Sequence, residues 1–174
     1  MSDGLAIIGG GKIGEALLSG LIRRGGTEGI VVCERSPQRA AELQQRHGVP
    51  AVDLAGAGRA ARTLLVAVKP QDIGTLLGAL AEHVDPARHL VVSVAAGVTT
   101  ARIEQALPGG TPVVRVMPNT PAHYRPTRVL TRVLAEVLGR SGATPRAGRT
   151  EWHSGRVSRS SAAARWGRRC WPGW

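Results

Sequence analysis

The chain has 174 residues, enough for one domain with an appendage. Its formal charge of +11 is uneven: residues 1–122 hold 12 Lys and Arg against 10 Asp and Glu, whereas residues 123–174 hold 11 Arg against two acids, Glu136 and Glu151. Composition excludes a disulfide scaffold and a membrane span: Cys33 and Cys170 have no zinc or redox spacing, and no apolar run reaches the ~18 residues a span needs.

Leu5-Ala6-Ile7-Ile8 reads as a buried strand running into Gly9-Gly10-Gly11. Ile13, Ala16, Leu17, Leu21 and Ile22 then recur at helical spacing until Gly25-Gly26. Ile30-Val31-Val32-Cys33 is a second strand, with Cys33 as a small core residue. Ser36 can cap the next helix, with Pro37 at its first position, and the helix runs to His47-Gly48. A short strand follows at Ala51-Val52, then a weak helix over 54–61 interrupted by Gly56 and Gly58. Leu64-Leu65-Val66-Ala67-Val68 is the fourth strand, ended by Lys69-Pro70, and residues 71–83 have helical periodicity. Leu90-Val91-Val92-Ser93-Val94 is the fifth strand. Thr99 or Thr100 opens a helix that Pro108-Gly109-Gly110 closes, and Val113-Val114-Arg115-Val116-Met117 is the sixth strand.

Alternating strands and helices imply βαβ units, and continuously apolar strands imply a sheet covered on both faces. The expected fold class is α/β, a doubly wound, mostly parallel sheet. With no aromatic before Tyr124, its core must be aliphatic. The order ends after Ala122. Val129, Leu130, Val133, Leu134, Val137 and Leu138 could line one face of a short helix over 123–139. Residues 140–174, rich in Arg and Trp, show no apolar period and are expected to be largely disordered. Their composition is that of out-of-frame GC-rich codons, which suggests a frameshift product. Residues 1–4 lack the basic start of a secretory leader, so a cytoplasmic location is expected. Arg interleaved with Trp could contact nucleic acid, but without an RRM, KH or OB framework nucleic acid is not the expected partner.

Gly9-Gly10-Gly11-Lys12-Ile13-Gly14 fits G-x-G-x-x-G, after a strand and at the start of a helix. That context marks a Rossmann dinucleotide-binding turn. Gly9 permits the tight turn, Gly11 lets a diphosphate approach the backbone, and Gly14 allows close packing of the helix. Lys12 and Ile13 open the helix whose bare amides would face the phosphates. Glu34 lies 20 residues beyond Gly14, where an acid commonly takes the ribose hydroxyls of NAD; Arg35 and Ser36 beside it could hold the 2′-phosphate of NADP. The cofactor is therefore NADP or NAD. No metal ligand set and no catalytic side chain stands out.

The opening stretch from Ile7 to Leu17 resembles that of pyrroline-5-carboxylate reductases. Three further segments agree in order: Val66-Ala67-Val68-Lys69-Pro70-Gln71, Ser93-Val94-Ala95-Ala96-Gly97-Val98 and Val114-Arg115-Val116-Met117-Pro118-Asn119-Thr120-Pro121-Ala122. The resemblance covers residues 1–122. It implies an oxidoreductase of proline biosynthesis that reduces the C=N bond of 1-pyrroline-5-carboxylate, its small-molecule substrate, with NAD(P)H. It also implies that Gly11, Lys12 and Ile13 meet the diphosphate and that Arg35 and Ser36 flank the adenosine ribose. Val68, Lys69 and Pro70 would lie along the cofactor. Ala95, Ala96 and Gly97, with Met117, Pro118 and Asn119 on the substrate side, would surround the nicotinamide. The family often has Asn where Leu54 stands and an acid where Arg62 stands. Family members continue into an all-helical domain that homo-oligomerises and carries the substrate's carboxylate site, and its motifs are absent here. The expectation is a truncated chain, weakly active or inactive alone. The alternatives are a non-catalytic dinucleotide-binding remnant, or another Rossmann enzyme such as a prephenate dehydrogenase or a deazaflavin-dependent NADP reductase.

Overall fold

The computed structural model describes residues 4–116, 151–153 and 156–157. Strands β1 (Leu5–Ile8), β2 (Ile30–Cys33), β3 (Ala51–Val52), β4 (Thr63–Val66), β5 (Leu90–Ser93) and β6 (Val113–Val116) alternate with helices α1 (Lys12–Gly25), α2 (Pro37–His47), α3 (Leu54–Ala60), α4 (Ile73–Ala81) and α5 (Thr100–Ala106). A single 3₁₀ turn, Pro70–Asp72, leads into α4. The six strands are all parallel, in the order β3-β2-β1-β4-β5-β6. The order reverses direction between β1 and β4, which makes the carboxyl ends of those strands the crevice of the sheet.

Side-chain alternation builds the two faces. Leu5, Ile7, Leu65 and Val92 point to one side and pack with Leu17, Leu18 and Leu21 of α1 and Leu43 of α2. Ala6, Ile8, Leu64, Val66 and Val91 point to the other and pack with Ile73, Leu77 and Leu80 of α4 and Ile103 of α5. Burial on both faces is why these strands read as unbroken apolar runs rather than as alternating ones. Helix starts follow local chemistry. The Ser36 hydroxyl accepts from the Arg39 N–H at 3.4 Å, with Pro37 at the first helical position, and Thr99 Oγ1 accepts from the Arg102 N–H at 3.3 Å.

Two strand ends differ from the sequence reading. The apolar run 64–68 pairs only as Thr63–Val66, and 90–94 only as Leu90–Ser93. Ala67 and Val94 still donate to the Ile8 and Val66 carbonyls, at 2.8 and 3.0 Å, as the chain leaves the sheet for the carboxyl edge, and Val68 follows on that edge. Within the tail, β7 (Glu151–His153) adds parallel to β6, and β8 (Arg156–Val157) pairs antiparallel with β7. Sequence periodicity gave no sign of either. Strand addition to an open edge is driven by main-chain hydrogen bonds, which leave no mark in side-chain pattern. The helix expected over 123–139 and the rest of 140–174 lie outside the described residues.

Candidate functional site

The glycine turn connects β1 to α1. Gly9 has φ +105°, a left-handed conformation that an L side chain resists, and its N–H donates to the Cys33 carbonyl at 2.9 Å. Gly11 is the N-cap of α1 and offers no side-chain acceptor to the first turn. The first helical bond runs from the Glu15 N–H to the Gly11 carbonyl at 2.9 Å, so the amides before Glu15 precede the ladder and point out of the helix start. A Cβ built on Gly11 meets nothing within 4 Å. Gly14 is the opposite case, since a Cβ there would overlap the Gly9 carbonyl oxygen. Open space at Gly11 in front of bare amides fits a diphosphate, with the positive end of the α1 dipole behind it. Ile13, in the first turn of α1, is 47 % exposed.

The segment after β2 folds back on the turn. Glu34 Oε2 accepts from the Gly10 N–H at 2.6 Å, and its Oε1 accepts from the Ser36 N–H at 3.0 Å. Arg35 and Ser36 are exposed on the same rim. Arg39, in the first turn of α2, donates from Nε to the Gly10 carbonyl at 3.0 Å, from Nη2 to Glu15 at 2.5 Å and from Nη1 to Glu42 at 2.9 Å. Glu15 also receives Arg46 at 2.6 Å and contacts His47 Nε2 at 3.1 Å. Arg39 did not stand out in the sequence, and Gly10 entered it only as the unspecified second position of the glycine turn. The only available signal was an arginine one turn after the helix cap, and many surface arginines share it.

Burial alone would push the Glu15 carboxyl up. The hydrogen bonds from His47, Arg39 and Arg46 outweigh it and hold the group at about 2, below an ordinary value of 4.5. A carboxyl whose pKa is lower in the folded than in the unfolded chain contributes stability that is present above pH 4.5 and is lost as pH falls toward 2. Glu15→Gln should therefore cost about 1–2 kcal/mol near neutral pH, since the site is partly exposed. Urea unfolding at pH 7 and pH 3 checks this. The gap between wild type and variant should shrink in acid, and a gap independent of pH would contradict it. The Cys33 thiol is pushed up to about 11 by burial, then by the charges of Asp53 and Glu34, so it stays protonated.

Val68, Lys69 and Pro70 follow β4 on this edge, and Ala95, Ala96 and Gly97 follow β5. Val68 is half-buried, Lys69 and Pro70 are exposed, Ala95 is buried, and Ala96 and Gly97 are open, the latter with φ +73°. The sequence-predicted residues that are described thus converge on the carboxyl edge, from the ends of β1, β2, β4 and β5. Met117, Pro118 and Asn119 lie outside the described residues. A cavity of about 290 Å³ lies at the opposite edge, between α3 and the residues preceding β5. His89 in its wall accepts at Nδ1 from the Asp85 N–H at 2.7 Å, which leaves Nε2, 2.9 Å from the Gly58 carbonyl, as the donor. That histidine is a satisfied structural residue. Among the described residues no helix is long and apolar enough to cross a membrane.

The strand order and the glycine turn together define a Rossmann dinucleotide-binding protein. Residues 4–97 match the family described as NADP oxidoreductase coenzyme F420-dependent. The chain belongs to that family. It is 47% identical over 123 residues to the pyrroline-5-carboxylate reductase of Mycobacterium leprae (strain TN), an alignment that takes in 68% of this chain and 42% of that protein. The chain therefore spans about two fifths of that relative's length. The structure of a pyrroline-5-carboxylate reductase from Coxiella burnetii superposes with a TM-score of 0.68 at 29% identity, covering 81% of this chain and 57% of that one. The NADP-bound pyrroline carboxylate reductase of Plasmodium falciparum superposes at 0.58 and 22% identity, over 70% of this chain and 44% of that one, and shows the shared fold.

Proposed function

We propose that this chain is the cofactor-binding part of a pyrroline-5-carboxylate reductase, which reduces the C=N bond of 1-pyrroline-5-carboxylate to L-proline with NADPH or NADH. The observation that carries it is the 47% identity over 123 residues to a relative of that name. The convergence of four separate strand ends on one edge supports it. The amides at Lys12, Ile13 and Gly14 would take the diphosphate, with Gly9 and Gly11 giving it room. Arg35 and Ser36 would lie by the adenosine ribose and Val68, Lys69 and Pro70 along the dinucleotide. When bound, the reduced nicotinamide supplies the hydride that the imine carbon accepts. Ala95, Ala96 and Gly97 would border that ring, their small size leaving space for a flat ring and a small imine. Met117, Pro118 and Asn119 would close the substrate side. A protonated imine already accepts hydride readily, so the residues' task is positioning and exclusion of water rather than nucleophilic attack.

A second reading is a dinucleotide-binding protein without turnover, favoured by the described carboxyl-edge residues being a glycine turn and strand ends suited to holding a dinucleotide. One pair of measurements separates the readings. The purified chain should quench or shift NADPH or NADH fluorescence on titration, and 1-pyrroline-5-carboxylate should then drive slow nucleotide oxidation. Binding without oxidation supports the second reading. Failure to bind either nucleotide overturns both.

A further inference from the structure

We propose that Glu34 and Arg39 form a clamp on the two peptide groups of Gly10 that presets the phosphate-facing turn, so that Glu34 acts on the diphosphate through the turn and not on the ribose hydroxyls. The inference rests on the cofactor-binding reading above and adds to it a division of labour.

Both main-chain groups of Gly10 are taken by side chains from the segment after β2. Its N–H donates to Glu34 Oε2 at 2.6 Å, and its carbonyl accepts from Arg39 Nε at 3.0 Å. Glu34 is itself fixed, since Oε1 accepts from the Ser36 N–H at 3.0 Å. Arg39 is fixed as well, because its two terminal nitrogens are held by Glu15 on α1 and Glu42 on α2. Gly10 is buried against Leu43 and Glu34: a Cβ there would overlap Leu43 Cδ1 and come within 3.1 Å of Glu34 Oε2. The arrangement ties the turn to α1 and α2 at its middle residue, while Gly11 and the first amides of α1 stay open.

The physical consequence is preorganisation. A three-glycine turn has unusual conformational freedom, and ordering it on binding would cost affinity. Charge-assisted hydrogen bonds on both sides of Gly10 remove that freedom before any ligand arrives. The same geometry argues against a ribose role. Each carboxylate oxygen of Glu34 already accepts a main-chain N–H, and turning the side chain to the ribose would leave the buried Gly10 N–H without its partner. The diphosphate is common to NADH and NADPH, so a clamp acts equally on both.

The test uses the full chain, titrated with NADH and with NADPH, for wild type, Glu34→Gln, Arg39→Gln and the double variant, with thermal melts alongside. Glu34→Gln should weaken both nucleotides by about tenfold, with their ratio held within about twofold. Arg39→Gln should do the same, and the double variant should be little worse than the weaker single, because the pair acts as a unit. If one variant melts below the assay temperature, the other is read instead. A fall for NADH with a rise for NADPH in Glu34→Gln would make Glu34 the ribose acid and overturn the clamp. A loss confined to NADPH in Arg39→Gln would make Arg39 a 2′-phosphate ligand and overturn it too. Unchanged affinities in both variants overturn it as well. Wild type that binds neither nucleotide removes the cofactor-binding reading together with the clamp.

Discussion

Gly11→Ala is expected to leave the fold intact and to weaken NADH and NADPH binding by roughly a hundredfold, the equivalent of losing about two amide–phosphate hydrogen bonds. The backbone permits alanine: Gly11 has φ −68° and ψ −175°, an extended conformation open to any residue. The surroundings permit it too, since a Cβ there meets nothing within 4 Å. At an N-cap, alanine costs only some tenths of a kcal/mol more than glycine, so the melting temperature should fall by a few degrees at most. The methyl group instead fills the space in front of the Lys12 and Ile13 amides. A diphosphate kept away from those amides loses both its hydrogen bonds and the benefit of the helix dipole. Circular dichroism melts and fluorescence titration measure the two effects separately. Wild-type affinity in a folded Gly11→Ala protein would place the nucleotide elsewhere.

Gly14→Ala should act in the reverse way and attack the fold. Its Cβ would overlap the Gly9 carbonyl oxygen and lie 3.1 Å from the Gly9 carbonyl carbon, both main-chain atoms. A side chain could rotate out of such a contact; a backbone cannot without moving α1 from β1 or distorting the turn. Gly9 has little room to yield, because its N–H is bonded to the Cys33 carbonyl and its own Cβ position is walled by Ala67 and Val68. The expected loss is about 3 kcal/mol of stability, seen as a fall of roughly 10 °C in the melting temperature. Nucleotide binding should weaken as a consequence, since the amides move with the helix. Urea unfolding gives the free energy directly. A loss below about 0.5 kcal/mol would mean that helix and turn are not in the close contact described.

The alternation of strands and helices was legible because each element satisfies a local rule. Leu5–Ile8 and Ile30–Cys33 are apolar on consecutive residues over a run too short for a helix and bounded by glycine or polar residues, which fits a strand covered on both faces. Ser36-Pro37 marks the start of α2 by side-chain capping and a preset φ, both contained within four residues. The strand ends were less legible. Val68 and Val94 are as apolar as their neighbours, yet they lie beyond the last ladder pairs, where the chain leaves the sheet for the carboxyl edge. β7 was not legible at all, since its pairing partner is the main chain of Arg115 and Val116.

What the sequence determined by itself is the doubly wound architecture, the aliphatic core and the position of the glycine turn. Periodicity, capping and φ > 0 are properties of a few neighbouring residues and are written where they act. What tertiary structure alone decided is the direction in which Glu34 and Arg39 reach. Glu34 lies 24 residues from Gly10, and Arg39 lies 29 from it. An acid at the end of β2 can face a ribose or turn back to an amide with the same local sequence. The choice depends on where α1, α2 and the turn come to rest against the sheet. Long-range hydrogen bonds are selected by that packing and leave no period, spacing or cap by which to find them beforehand.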